Sequence, residues 1–125
     1  MKWEAVANDL ERISDFVAGL RGAVEEQPFG PDVDVFKVGG KIFAILSPTN
    51  EPGAISLKCD PDRSIGLRDR YVAVTPGYHL NKRHWNTVVL DGSVPDDVLN
   101  ELIRHSHDLV VASLSASQRA KFHAE

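Results

Sequence analysis

The sequence predicts an α+β protein: an antiparallel meandering sheet with N- and C-terminal helices packed on one of its faces. Three observations carry that prediction. A helical stripe of apolar residues opens the chain and a longer one closes it. Short β-rich runs fill the interval between them, separated by turn formers. Strands joined so briefly must be antiparallel, since a parallel neighbour needs a crossover of about a dozen residues. Helices on one face of such a sheet give the α+β class.

The first stripe is Trp3, Val6, Ala7, Leu10, Ile13, Val17 and Leu20. Its three- and four-residue intervals predict a helix of about five turns, with Glu4, Asp9, Glu11, Arg12 and Asp15 toward water and Gly19 and Gly22 at its C-terminal end. Val33, Val35, Phe36 and Val38 then lead into Gly39-Gly40, and "KIFAILS" resumes. Two β-rich runs around Gly-Gly predict a two-residue hairpin, because both glycines tolerate positive φ. "AISLKC" alternates as a half-buried third strand. Asp60 before Pro61 predicts the N-cap of a helix of two turns, with Ile65 and Leu67 partly inward.

"YVAVTP" and "WNTVVLDG" read as two further strands. Ser93 and Asp96 stand at capping-box spacing before a long helix whose apolar set is Val98, Leu99, Leu102, Ile103, Leu109, Val110, Ala112 and Leu114. Ser115 with Gln118 repeats that spacing and predicts a last short helical turn ending near Phe122.

At 125 residues the chain is expected to form one domain, 1–125, with no repeat or dividing linker. No apolar run nears the ~18 residues of a membrane span, and the N-terminus lacks a signal-peptide core. A cytoplasmic location is the expectation. Cys59 is the sole cysteine, which excludes an internal disulfide and a thiolate metal cage.

The net charge of −4 opposes wholesale nucleic-acid or membrane binding. Its distribution is uneven. Residues 1–57 hold five Lys/Arg against nine Asp/Glu, residues 58–90 six against three, and residues 91–125 three against six. The positive third contains "PGYHLNKRHWNTV", a stretch too polar for a core strand.

"EEQPFG", "VFKVGGKIFAIL", "ISLKCDP" and "PGYHLNKRHWNTVVLDG" in succession, followed by "LIRHSHDLVVASL", resemble the MmcQ/YjbR family of small bacterial proteins from about Trp3 to Leu114. One departure is His107, where the family pattern more often has an aromatic residue. The resemblance implies a fold akin to that of the frataxin homologue CyaY. It also brings the DNA-binding label attached to the family, with its "double-wing" description of the hairpins.

The residues themselves leave several readings of the loop open. For nucleic acid, Lys82 and Arg83 would meet phosphates, Asn81 and Asn86 would reach base edges, and Tyr78 or Trp85 would stack on an unpaired base. The Gly39-Gly40 hairpin, with Lys37 and Lys41 beside it, would act as a wing. As a binding module for a small anion or a protein partner, the loop from Tyr78 through His79 and His84 to Trp85 would combine with Lys58 on a nearby strand. The structural reading places Trp85 in the core and bonds Asn81 and Asn86 to loop backbone. Catalysis is not expected: His79 and His84 lack a completing metal-ligand or nucleophile motif. His105 and His107, two apart on a helix, point away from one another. No cofactor is expected. The acidic residues of the first helix read as its wet face.

Overall fold

The structure, a computed structural model, describes residues 7–48, 52–77 and 80–124, with backbone alone for 121–124. Helix α1 (Leu10–Ala18) begins at Asp9, whose carboxylate accepts from the Arg12 N–H at 3.1 Å. The expected start at Trp3 lies outside the described residues, and residues 7–9 are not helical. Asn8 explains why. Its N–H donates to Leu90 O at 3.2 Å, its amide NH2 to Val94 O and the Asp96 carboxylate, and its amide oxygen accepts from Gly92. Those distant bonds compete with helical ones and hold the chain extended ahead of the cap.

Six strands form one antiparallel sheet in the order β1-β2-β3-β4-β6-β5. They are β1 (Val24–Glu26), β2 (Asp34–Val38), β3 (Lys41–Ser47), β4 (Ala54–Lys58), β5 (Val74–Pro76) and β6 (Trp85–Val89). The Gly39-Gly40 hairpin joins β2 to β3 as expected, with φ of +59° and +81°. β1 was not expected. It is an edge strand of three exposed residues, "VEE", held by pairing with β2 rather than by any pattern of its own.

The meander also breaks once. After β4 the chain crosses through α2 (Pro61–Arg70) to the far edge as β5, then returns as β6 into the gap between β4 and β5. β4 and β5 are thus never neighbours, so the short-turn argument does not reach them.

Alternation decides the faces. Phe36, Val38, Ala44, Leu46, Ile55, Leu57, Val74 and Val88 are buried with Ile13, Val17, Leu99, Leu102, Ile103 and Val110 in one core. Residues between them on the strands, such as Ser56, Lys58, Trp85 and Thr87, point the other way. Helix α3 (Asp96–Ser113) lies across β2, β3 and β4 on the core side.

At β3 the register slips: Phe36 pairs with Ala44 but Lys37 with Ile42, which leaves Phe43 as a bulge residue. Both Phe43 and Ala44 turn inward and are fully buried. On its other side β3 pairs with β4 only from Ala44 onward, and the gap beside Phe43 is bridged by Ser106 of α3, itself fully buried. Its hydroxyl donates to Phe43 O at 2.6 Å and accepts the Lys58 N–H at 2.8 Å. One side chain thereby supplies the link that β3 and β4 lack there.

The helix ends divide the capping predictions. Asp60 caps α2 as expected, accepting from the Asp62 and Arg63 N–H groups. Leu67 packs on the core, whereas Ile65 is 66% exposed, contrary to the inward placement. The Ser115–Gln118 box is formed in both directions, and it opens a nine-residue helix, α4 (Ala116–Ala124), longer than the turn expected. The Ser93–Asp96 box is not formed. α3 is capped by Pro95 without a side-chain bond, because the Ser93 hydroxyl donates instead to Asp91 at 2.6 Å in a local turn. Bonds from the Ser93 hydroxyl and N–H hold the Asp91 carboxyl below the usual carboxylate range.

Candidate functional site

The basic segment occupies one end of the sheet because of how the strands run. β4 finishes there at Lys58, β6 starts there at Trp85, and the two residues are cross-strand partners. β5 also ends there at Pro76, so the chain must turn through residues 77–84. Tyr78 and His79 lie outside the described residues. The remainder of the turn is closely fastened. Gly77 N–H donates to Trp85 O at 2.8 Å, Trp85 N–H to Asn81 O at 2.9 Å, and Cys59 N–H to His84 O at 2.8 Å. A Cβ on Gly77 would stand 2.8 Å from that of Trp85, so the closure requires glycine.

The main grip comes from α2. Ser64, Leu67 and Arg68, at three- and four-residue spacing, face inward from it. Arg68 Nε donates to Asn86 Oδ1 at 2.7 Å, and one terminal nitrogen donates to the carbonyls of Lys82 and Trp85. Asn86 in turn donates to Ser64 Oγ at 3.2 Å. Arg68 thus consumes its charge on loop carbonyls and a buried amide, and so fixes the loop from below. Sequence reasoning missed it. The one available signal was its place on the inward face of a helix adjoining a polar loop.

That grip sorts the candidate residues. Lys82 and Arg83 are exposed, His84 and Lys58 half-buried, and none of these four side chains has a hydrogen-bond or ionic partner among the described residues. Trp85 is half-buried on the face away from the helices, beside Lys58, and so does not join the core. Asn81 is exposed, with Oδ1 accepting from the Arg83 N–H at 3.0 Å. Asn86 is only 3% exposed and fully engaged, which withdraws it from any base contact.

Lys41 stands apart. It belongs to the same end of the sheet but pairs with the inward-facing Val38, and its Nζ donates to Ser113 O and Oγ at 3.3 Å. Lys37 is ion-paired with Glu26 at 2.7 Å. The hairpin itself is packed down: a Cβ on Gly39 would meet Leu114 at 2.7 Å, and Gln118 Nε2 reaches Gly39 O. The expected wing is therefore pinned beneath the C-terminal helices.

Beneath the loop lies a cavity of about 10 Å³, lined by Leu57, Cys59, Leu67, Val74, Asn86 and Leu102. It is no larger than one water. Burial pushes the Cys59 thiol up despite its bond with Ser64, which disfavours the thiolate. Two of the histidines are engaged separately: His105 accepts from the Asp60 N–H, while His107 is buried edge-on to Phe43 and bonds Arg21 O at 2.8 Å. His107 thus fills an aromatic position against the bulge. Among the described residues no group of three or more His, Cys, Asp or Glu is arranged to hold a metal, and no helix is long and apolar enough to cross a membrane.

Comparison with known proteins agrees with this architecture. The uncharacterised protein YbdF of Escherichia coli O157:H7 is 43% identical over 88 residues, which is 70% of this chain and 72% of that one. The uncharacterised protein YjbR of Escherichia coli K12 is 39% identical over 83 residues, 66% of this chain and 70% of that one. The crystal structure of Deinococcus radiodurans protein DR2400, described with a DUF419 domain, matches with a TM-score of 0.87 at 35% identity, over 97% of this chain and 92% of that one. A Pseudomonas syringae protein matches with a TM-score of 0.71 at 27% identity, over 82% and 98%. The YjbR family profile matches residues 18–109, from the end of α1 through most of α3, and the chain belongs to the YjbR family.

Proposed function

We propose that this protein acts by binding, without a reaction of its own, and that it recognises phosphate groups, those of DNA foremost, through Lys58, Lys82, Arg83 and His84 beside Trp85. One observation carries the reading. Arg12, Lys37 and Arg63 are ion-paired and Lys41 and Arg68 bond carbonyls, yet the cations of this loop and of Lys58 are left unpartnered among the described residues. Free cations on a loop with a fixed backbone suit phosphate, which is read by charge and donor position. The separate engagements of His105 and His107 speak for binding over catalysis. The reading assumes a cytoplasmic location, where nucleic acid is at hand.

Three phosphate contacts give a log–log salt slope of roughly −2 to −3, with weak affinity at physiological salt. Fluorescence anisotropy at low salt tests this. Binding should appear below about 100 μM, and Lys82→Ala should flatten the slope by nearly one. Absence of binding in that range removes the DNA reading.

The placement of Lys58 across from Trp85, with Lys82 and Arg83 within three residues of that tryptophan, favours a second reading, in which a small phosphate-bearing molecule is the ligand. Under it, pyrophosphate should raise the melting temperature and Arg83→Ala should abolish the rise.

A further inference from the structure

The open face of the sheet adds a second element to the cation cluster. On β4, β6 and β5 the residues turned away from the helices include Ser56, Lys58, Trp85, Thr87 and Thr75. Ser56 Oγ and Thr87 Oγ1 are 2.8 Å apart, and Thr75 Oγ1 donates to Thr87 O at 3.4 Å. The row is uncharged, short-chained and free of carboxylates, and it ends at an aromatic ring flanked by Lys58. Core residues Ile55, Leu57, Val74 and Val88 occupy the opposite face beneath the helices.

We infer that the ligand is a single strand of nucleic acid laid across this face, with a base stacked on Trp85, its phosphates toward Lys58, Lys82 and Arg83, and the Ser56–Thr87–Thr75 row beneath its neighbours. This rests on the phosphate-binding reading above and narrows it. Charge complementarity selects the occupant: the cations border the hydroxyl row, and no acidic side chain on it opposes phosphate. A partly exposed tryptophan on a sheet surface serves unpaired bases, because every base offers a π face and a duplex hides it. Two wings on a duplex would need the Gly39-Gly40 hairpin, whose Lys37 and Lys41 are already engaged.

The experiment compares a labelled 12-nucleotide oligo-dT with a 12-base-pair duplex at the same low salt. Trp3→Phe is introduced so that Trp85 is the sole tryptophan reporter. The single strand should bind about tenfold tighter or more, with a salt slope near roughly −2, and should quench Trp85 emission. Trp85→Leu should weaken binding about tenfold while Trp85→Phe restores most of it. Thr75→Glu, an exposed change on the same face, should weaken it by about threefold through repulsion of phosphate.

Equal or tighter duplex binding overturns the inference, as does unquenched Trp85 emission with oligo-dT bound. Duplex binding that still depends on Lys82 leaves the phosphate reading intact while removing this one. A protein that binds neither DNA nor pyrophosphate removes both. Should Trp85→Leu fail to fold, the quenching and Thr75→Glu results decide.

Discussion

The Gly39-Gly40 hairpin and the loop at residues 80–85 share an end of the sheet and a basic composition, yet they are built in opposite ways. In the hairpin the side chains are consumed: Lys37 by Glu26, Lys41 by Ser113, and the glycine itself by the approach of Leu114. In the loop the backbone is consumed instead. Arg68, Asn81 and the strand ends take up its carbonyls and N–H groups, which leaves Lys82, Arg83 and His84 unoccupied. Similar residue types thus form a buttress in one place and a presenting surface in the other. The difference is whether the fold engages the cation or the peptide behind it.

That contrast can be broken most severely through the serine beneath both regions. Ser106→Ala removes the bonds to Phe43 C=O and Lys58 N–H, and should lower unfolding free energy by roughly 2–4 kcal/mol in denaturant titration. Arg68→Ala comes next, at about 2–3 kcal/mol, since it leaves the buried Asn86 amide short of a donor and frees two loop carbonyls. Unlike Ser106→Ala under conditions where both remain folded, it should also weaken phosphate binding, because the loop loses its support.

Gly39→Ala should cost about 1–2 kcal/mol, from the positive φ and the clash with Leu114, yet leave the salt slope of binding unchanged. The sharpest discriminator has the smallest effect on stability. Lys82→Ala and Lys41→Ala should each move stability by less than about 0.5 kcal/mol. Only the former should flatten the salt slope, by nearly one. A slope that responds equally to both would erase the distinction between buttress and surface.

A last change shows itself only through pH. Arg63 holds the Glu101 carboxyl below its ordinary range through a bidentate bond. A depressed carboxylate stabilises the fold above the unfolded pKa near about 4.3, and the contribution fades as pH falls through the lower folded value. Both groups are at least a third exposed, so Glu101→Gln should remove under about 1 kcal/mol at neutral pH and nothing in strong acid. Thermal melts across that acid window would show it.

Much of the fold was legible wherever the signal was local. The Gly39-Gly40 turn, the Asp60 cap and the reciprocal Ser115–Gln118 box each depend on residues within a few positions of one another, and each formed. Prediction failed where a partner outside the expected motif intervened, distant for Asn8 and β1 and local for Ser93. Asn8 is drawn to Leu90 and Val94, so α1 starts late; Ser93 is taken by Asp91, so α3 lacks its box; β1 exists only because β2 lies alongside. The candidate site divides the same way. Lys82, Arg83 and Trp85 stood out by composition, while Arg68 and Ser106 were invisible because their partners lie 14 to 63 residues away.

By itself the sequence determined the α+β class, the family and the place of the basic segment, because hydrophobic period and turn chemistry act over short range. Tertiary structure decided which cations are free. It inserted β6 between β4 and β5, set Lys58 beside Trp85, and turned Lys41 toward α3. Availability of a charge depends on what packing brings within hydrogen-bond reach, and pairing across a sheet is settled only when the whole chain has closed.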